Sequence, residues 1–334
     1  MQIDIKTTSV VSLRHTFSNV ARRLGSDKTA SRYQEATLDL QPEVNFHYRP
    51  LWQPELELYD KRRTAIEMKD WYVFKDPRQY YYGTYTITRS RQQETMEKHL
   101  EFVEKRGLLS CLPDDARAKI AFVMVPLRHV ECGANTNNCY ITSYAWGTAL
   151  TQATMFHTMD RLGIAQYLTR IGLILDGNQG SSLTQGKENW LNHFAWQGLR
   201  RTVENMMVTR DCIELFIAQN LVFDGLLYPL IYRRFDALIA NQHGHGLSMI
   251  NEFMNNWFEE TSRWVDATVK TAATESPANA ALLNKWVDSW RDQVAAALLP
   301  LTDEMFGDCA QVELKGVIAA FSDRVGKLGL RRVV

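Results

Sequence analysis

The sequence has no surplus of charge of either sign. Lys plus Arg and Asp plus Glu both number 38, and the formal net charge is zero. Without a basic surplus there is no broad electrostatic pull toward nucleic acid or anionic lipid, so neither is expected as a partner. Cysteine is scarce and unpatterned. Cys111, Cys132, Cys139, Cys212 and Cys309 are odd in number and form no Cys-x-x-Cys pair. They read as buried, reduced thiols of a cytoplasmic protein. The N-terminus lacks an apolar h-region, so no signal peptide is expected. Long uninterrupted apolar runs are also missing. The longest, Leu215 to Tyr232, carries Gln219, Asn220, Asp224 and Pro229. Polar groups so placed would be costly in lipid, and a buried core helix is expected instead of a membrane span.

Most chemistry-bearing motifs are absent too. Gly180 to Lys187 superficially resembles a phosphate loop, but it has five residues between its glycines, Glu188 where Ser or Thr should meet magnesium, and no preceding strand. Gly244-His-Gly246 is too short for a dinucleotide fingerprint. His243 and His245 lack a third metal ligand nearby, as do His129 and Cys132 on their shared helix face. No Gly-x-Ser-x-Gly elbow occurs. A di-iron carboxylate centre in a helical bundle takes one Glu from each of two helices and Glu-x-x-His from each of two others. The spacing matters because residues three apart share a helix face. The residues three before the eight histidines are Ser12, Val44, Met96, Pro126, Thr154, Trp190, Ala240 and Gln242. None is a carboxylate, so no metal, catalytic or cofactor-binding residue is expected in this chain.

What is present is the material of a helical protein. The 334 residues are 45% hydrophobic and 23% charged, ordinary for a globular chain with one large core or two modest ones. Residues 1–55 stand apart as an extended N-terminal arm. Helical signal is weak after Leu24, prolines fall at 42, 50 and 54, and Phe46, Tyr48 and Trp52 are large side chains that an extended segment cannot bury locally. They are candidates for contact with a partner. Residues 56–334 read as a single all-α domain with long helices of bundle type. A Pro-free stretch from Arg128 to Asp176 predicts a buried central helix, and a second helical region runs from about Lys187 to Asn241, closing at His243-Gly-His-Gly246. A third starts near Leu247. Ser276-Pro277 reads as an N-cap with Pro in the first turn. Leu283, Trp286, Trp290, Val294 and Leu298 form one face after it. Pro300 should stop that helix, and Thr302 to Gly326 should form the last one. Alternating, strand-like pattern is confined to short pieces around Tyr80 to Ile87.

Four segments carry a resemblance: Trp71 to Tyr85, Pro126 to Asn135, Met159 to Tyr167 and Cys212 to Tyr228. They resemble the β subunits of soluble bacterial di-iron monooxygenases, nearest the phenol and toluene hydroxylases. The resemblance implies a ferritin-like fold lacking di-iron ligands and a non-catalytic role beside α and γ hydroxylase subunits in a paired (αβγ)2 assembly. It implies that the di-iron centre belongs to the partner α subunit, where O2 oxidises the aromatic ring. Electrons would come from NAD(P)H through a reductase carrying flavin and a 2Fe–2S cluster, and a small regulatory protein would act on the complex. The resemblance also suggests where a ligand pair has decayed. Glu252 and Asn255 keep the three-residue spacing with Asn in place of His, and Gln166 and Thr169 are the second candidate pair. Asp76 and Arg78, held apart by Pro77, are expected to cap a turn and to bridge a subunit contact.

Overall fold

The computed structural model describes residues 17–26, 28–43, 47 and 49–330. Phe46 and Tyr48 lie outside the described residues. No strand occurs among those described. Two short helices, α1 (Ser18–Leu24) and α2 (Arg32–Thr37), open the chain. Ser31 and Gln34 close a reciprocal capping box on α2. Long helices follow: α3 (Tyr82–Lys105), α4 (Asp114–Met124), α5 (Leu127–Tyr144) and α6 (Thr148–Leu175). Next come α7 (Ser181–Asn192), α8 (Phe194–Met207) and the continuous helix α9 (Cys212–His243). The chain ends in α10 (Gly246–Glu275), α11 (Pro277–Phe306) and α12 (Ala310–Gly326).

Helix α9 is the core of the molecule, packed by α5, α10, α11 and α12. It is long and apolar enough to cross a membrane by length and composition, yet 94% of its apolar window is buried inside the protein. Its apolar surface is therefore already covered by protein, as expected from Gln219, Asn220 and Asp224. Two π-helical stretches, Ile217–Phe223 and Leu230–Phe235, interrupt its regular winding.

Several boundaries differ from the sequence reading. The Pro-free stretch is two antiparallel helices, α5 and α6, because Gly147 turns the chain at φ 91° with the Trp71 backbone oxygen 3.6 Å from where its Cβ would stand. Glycine alone makes that turn. The Gly180–Lys187 segment is the start of α7, and its preceding turn is held by Asp176, which accepts from the Gln179 and Ser182 amides. Pro300 does not stop α11. The helix continues to Phe306 because Leu298, Leu301, Thr302 and Met305 are buried on both sides of the proline, and that burial outweighs one lost backbone bond. It ends at Gly307, φ 53°. The last helix accordingly starts at Ala310 and not at Thr302. The strand-like piece at Tyr80 enters α3, where Tyr85 stacks on Phe156 at 4.4 Å. Of the five free cysteines only Cys212 is buried; the other four are exposed on outward faces.

The described part of the arm lies on the body near the α5–α6 turn. The Thr148 hydroxyl donates to the Thr37 carbonyl at 2.6 Å, and Gln41 accepts from the Gly147 amide at 2.9 Å. Arg23 pairs with Asp39 and Asp70.

Glycines test this packing in opposite directions. A Cβ on Gly198 would lie 3.0 Å from the Ala297 Cα, where α8 crosses α11, whereas one on Gly163 in α6 would meet nothing within 4 Å. Gly198→Ala is expected to cost about 1–2 kcal/mol after its gain in helix propensity. Gly163→Ala should add up to about 1 kcal/mol. Denaturant midpoints of the two variants, one falling and one rising, check both.

Candidate functional site at the bundle centre

The interior of the bundle is charged. Helix α6 carries His157 and Arg161 one turn apart, and α9 carries Asp224 and Tyr228 at the same spacing, so each pair shares a helix face. Helix α5 adds Glu131, and α10 adds Trp257. All of these are essentially sealed from water, with Arg161 0% exposed. One terminal nitrogen of Arg161 donates to Glu131 at 3.0 Å and to the Tyr228 hydroxyl oxygen at 3.1 Å. The other donates to His157 Nε2 at 3.0 Å and to Asp224. Tyr228 in turn donates to Glu131 at 2.7 Å. The guanidinium lies over the Trp257 ring, 4.6 Å from its centroid, and His157 stacks on the same ring at 4.9 Å.

The electrostatics follow from burial. Guanidinium can only donate, so His157 Nε2 must accept and its proton sits on Nδ1. Burial and then the Arg161 charge hold the His157 imidazolium form well below its usual range, and the ring is neutral. Burial pushes the Glu131 and Asp224 carboxyls up, against the pull of Arg161. The carboxylates push the Arg161 guanidinium higher despite its burial.

The π stretch serves this centre. Gln219 and Asp224 are five residues apart, the repeat of a π turn, and Gln219 Nε2 donates to Asp224 at 3.0 Å. Asn137 donates to Gln219, while Asn138 and Asn220 exchange amide hydrogen bonds at 2.9 and 3.1 Å.

A second ionic network adjoins the first. Asp160 accepts from Arg89, from the Tyr85 hydroxyl at 2.8 Å and from the Trp257 indole N–H at 2.9 Å. Glu260 meets Arg89 at 3.0 Å and Arg78 at 3.5 Å. Arg78 forks onto Asp76 and stacks between Tyr80 and Trp264. Asp76 also caps its turn, accepting from the Arg78 amide, and its own amide donates to the Tyr33 hydroxyl of the arm.

Asp76 and Arg78 therefore form a buried pair inside this chain. The Arg78 side chain is 5% exposed and meets Glu260 of the same chain. Pro77 and the positive φ of Gln79 fold the turn back on itself. Trp52 is 41% exposed and packs edge-on to Tyr144 at 5.1 Å. The proposed relics of a metal site sit apart from the bundle centre. Glu252 is mostly exposed, 3.7 Å from His99, and Asn255 donates to the Tyr232 carbonyl. Gln166 is exposed, and Thr169 bonds back to Ala165 in its own helix. The centre itself offers Glu131, Asp224 and His157 with a guanidinium already between them. That set does not fit a di-iron cluster, and among the described residues no group of three His, Cys, Asp or Glu is placed to hold a metal.

A family model described as methane/phenol/alkene hydroxylase matches residues 52–276. The chain belongs to this hydroxylase family. It is 49% identical over 331 residues to the DmpL oxygenase component of phenol 2-monooxygenase from Pseudomonas sp. (strain CF600), with 99% of each chain covered. It is 24% identical over 253 residues to the β subunit of the toluene-4-monooxygenase hydroxylase component from Ectopseudomonas mendocina, covering 73% of this chain and 76% of that one. The solved, xenon-pressurised phenol hydroxylase of Pseudomonas sp. OX1 matches at TM-score 0.92 and 43% identity, covering 99% of this chain and 100% of that one. Toluene 4-monooxygenase matches at TM-score 0.77 and 21% identity over 87% and 97%, a likeness of fold. The ferritin-like helical fold and the family expected from the four sequence segments are both met.

Two variants probe these placements. Asp76→Ala leaves buried Arg78 with only Glu260, which it shares with Arg89, and should cost about 3–5 kcal/mol, read as a lowered denaturation midpoint. Asn255→His should leave the chain with far less than one iron by elemental analysis, since it adds an imidazole away from the buried carboxylates.

Proposed function

We propose that this chain is the non-catalytic β subunit of the hydroxylase component of a multicomponent phenol monooxygenase. The observation that carries the reading is its end-to-end likeness to phenol 2-monooxygenase oxygenase components. In this reading an α subunit holds the di-iron centre and oxidises the aromatic ring with O2, and a γ subunit completes an (αβγ)2 assembly in the cytoplasm. A flavin and 2Fe–2S reductase delivers electrons from NAD(P)H, and a regulatory protein acts on the complex. The part assigned to this chain is scaffold. Its bundle centre is filled by hydrogen-bonded side chains, and α6 turns Met155, Met159 and Leu162 outward in one row, 43%, 37% and 55% exposed. Apolar surface of that kind suits a partner's cover.

Co-expression with the large α chain of a phenol monooxygenase hydroxylase tests the assignment. The purified complex should hold iron and oxidise phenol with NADH when reductase and regulatory protein are added. This chain alone should hold far less than one iron. Two tightly bound irons in the isolated chain would overturn the reading.

The arm, residues 1–55, is assigned to clamping a partner subunit. Deletion through Trp52 should leave the helical circular dichroism spectrum in place. It should abolish co-purification with the large chain, and undiminished co-purification would refute the clamp. Loss of the Thr37, Gln41 and Trp52 contacts should also lower the thermal midpoint of the remainder.

A further inference from the structure

The misfit between the bundle centre and a metal cluster has a positive content. Each group facing the Arg161 guanidinium offers electron density. Glu131 and Asp224 present carboxylate oxygens, Tyr228 its hydroxyl oxygen, His157 the Nε2 lone pair, and Trp257 its ring face. The Arg161 Nε is buried and has no partner. All polar recognition therefore runs through the two terminal nitrogens and the face of the plane. Those are the parts a free guanidinium ion also possesses. The side chain's three methylenes and Nε serve as a tether.

We propose that the bundle centre is a guanidinium-binding site that Arg161 fills as a covalently tethered ligand. The geometry favours guanidinium over a transition metal. His157 Nε2 and Asp224 Oδ2 stand 4.0 Å apart, and one terminal nitrogen of Arg161 donates to both. The second terminal nitrogen reaches Glu131 and Tyr228, and an indole face suits the delocalised charge of the planar fork. The site stands on these contacts alone and does not require the subunit assignment.

Charge on neighbouring elements sets the pH response. Beyond Glu131 on α5, the centre is faced by His157 and Asp160 on α6. Asp224, Tyr228 and Tyr232 on α9 also face it. Arg78 and Arg89 approach from the adjoining network, and Arg324 of α12 acts on Asp224 while bonded to Asp266. Removing Arg161 leaves Glu131 and Asp224 without their nearest cation, so both must bind protons more readily when folded than when unfolded. Such groups stabilise the fold at low pH, and that stability is lost as pH rises from the unfolded value of about 4 toward the raised folded one.

The test uses the full-length chain with Arg161→Ala, and the probe is guanidinium chloride at millimolar, non-denaturing concentration. Its thermal midpoint should rise by several degrees relative to sodium chloride at equal ionic strength, while the wild type stays unmoved. Methylammonium and Co2+ should not substitute. A folded variant indifferent to guanidinium would overturn the proposal, as would one that instead takes up Co2+ with its d–d absorption bands. Should Arg161→Ala fail to fold, Arg161→Leu decides. Its midpoint should lie about 5–10 °C below wild type at pH 8. The gap should narrow at pH 5.5 and largely close in the triple variant with Glu131→Gln and Asp224→Asn. A leucine variant as stable as wild type at both pH values would sink the idea.

Discussion

One cation with no access to water organises this molecule. Arg161 cannot shed its proton, and a charge that far from solvent must be met by opposite charge within hydrogen-bond reach. That demand draws α5, α6 and α9 to a common point and sets Trp257 of α10 against the guanidinium face. The Coulombic gain is offset by desolvation of both carboxyls, so the cluster adds little net stability over an apolar core. What it fixes is arrangement. A slide of α9 by one residue against α6 would turn Asp224 away from Arg161 and leave both buried and unpaired, at a cost of several kcal/mol.

The π-helical winding of α9 belongs to the same solution. A regular helix would carry Gln219 and Asp224 to different faces. The wider turn lets Gln219 pass a hydrogen bond from Asn137 to Asp224, so an amide relay continues the polar interior along the helix. Amides need partners when buried. Here Asn138 and Asn220 satisfy one another across α5 and α9, so the apolar remainder of α9 stays sealed around them.

The sequence was legible where periodicity and caps decide structure. The Ser276 cap, the Leu283–Leu298 face and the glycine stop after His243 all stand as read, because local physics settles them. Pro300 was misread because burial on both sides overrode a local rule. The break at Gly147 was missed because a single glycine at positive φ leaves no wider pattern. The bundle centre was missed for another reason. Its members lie in four different helical contexts, and no spacing relates Glu131 to Arg161 or to Asp224. A signal did exist: charged residues at one-turn intervals inside otherwise apolar helices. The segments that carried the family resemblance contain Asp76, Arg78, Glu131, Arg161 and Asp224. Of these, only Asp76 and Arg78 stood out in the sequence, because Pro77 between them marks a turn.

The two ionic networks share the Trp257 side chain but differ in how far apart their members lie along the chain. Arg161 reaches back 30 residues to Glu131 and forward 63 to Asp224. Arg89 must find Glu260 across 171 residues. Synthesis runs from the N-terminus, and closing a longer loop carries a larger entropic cost. The charged groups of the central cluster are all present once the ribosome has passed Tyr228. Arg78 and Arg89, although made far earlier, wait for α10 to supply Glu260. The Asp76–Arg78 turn thus gains its second carboxylate late, after every residue that the described part of the arm touches at the α5–α6 turn has already been made.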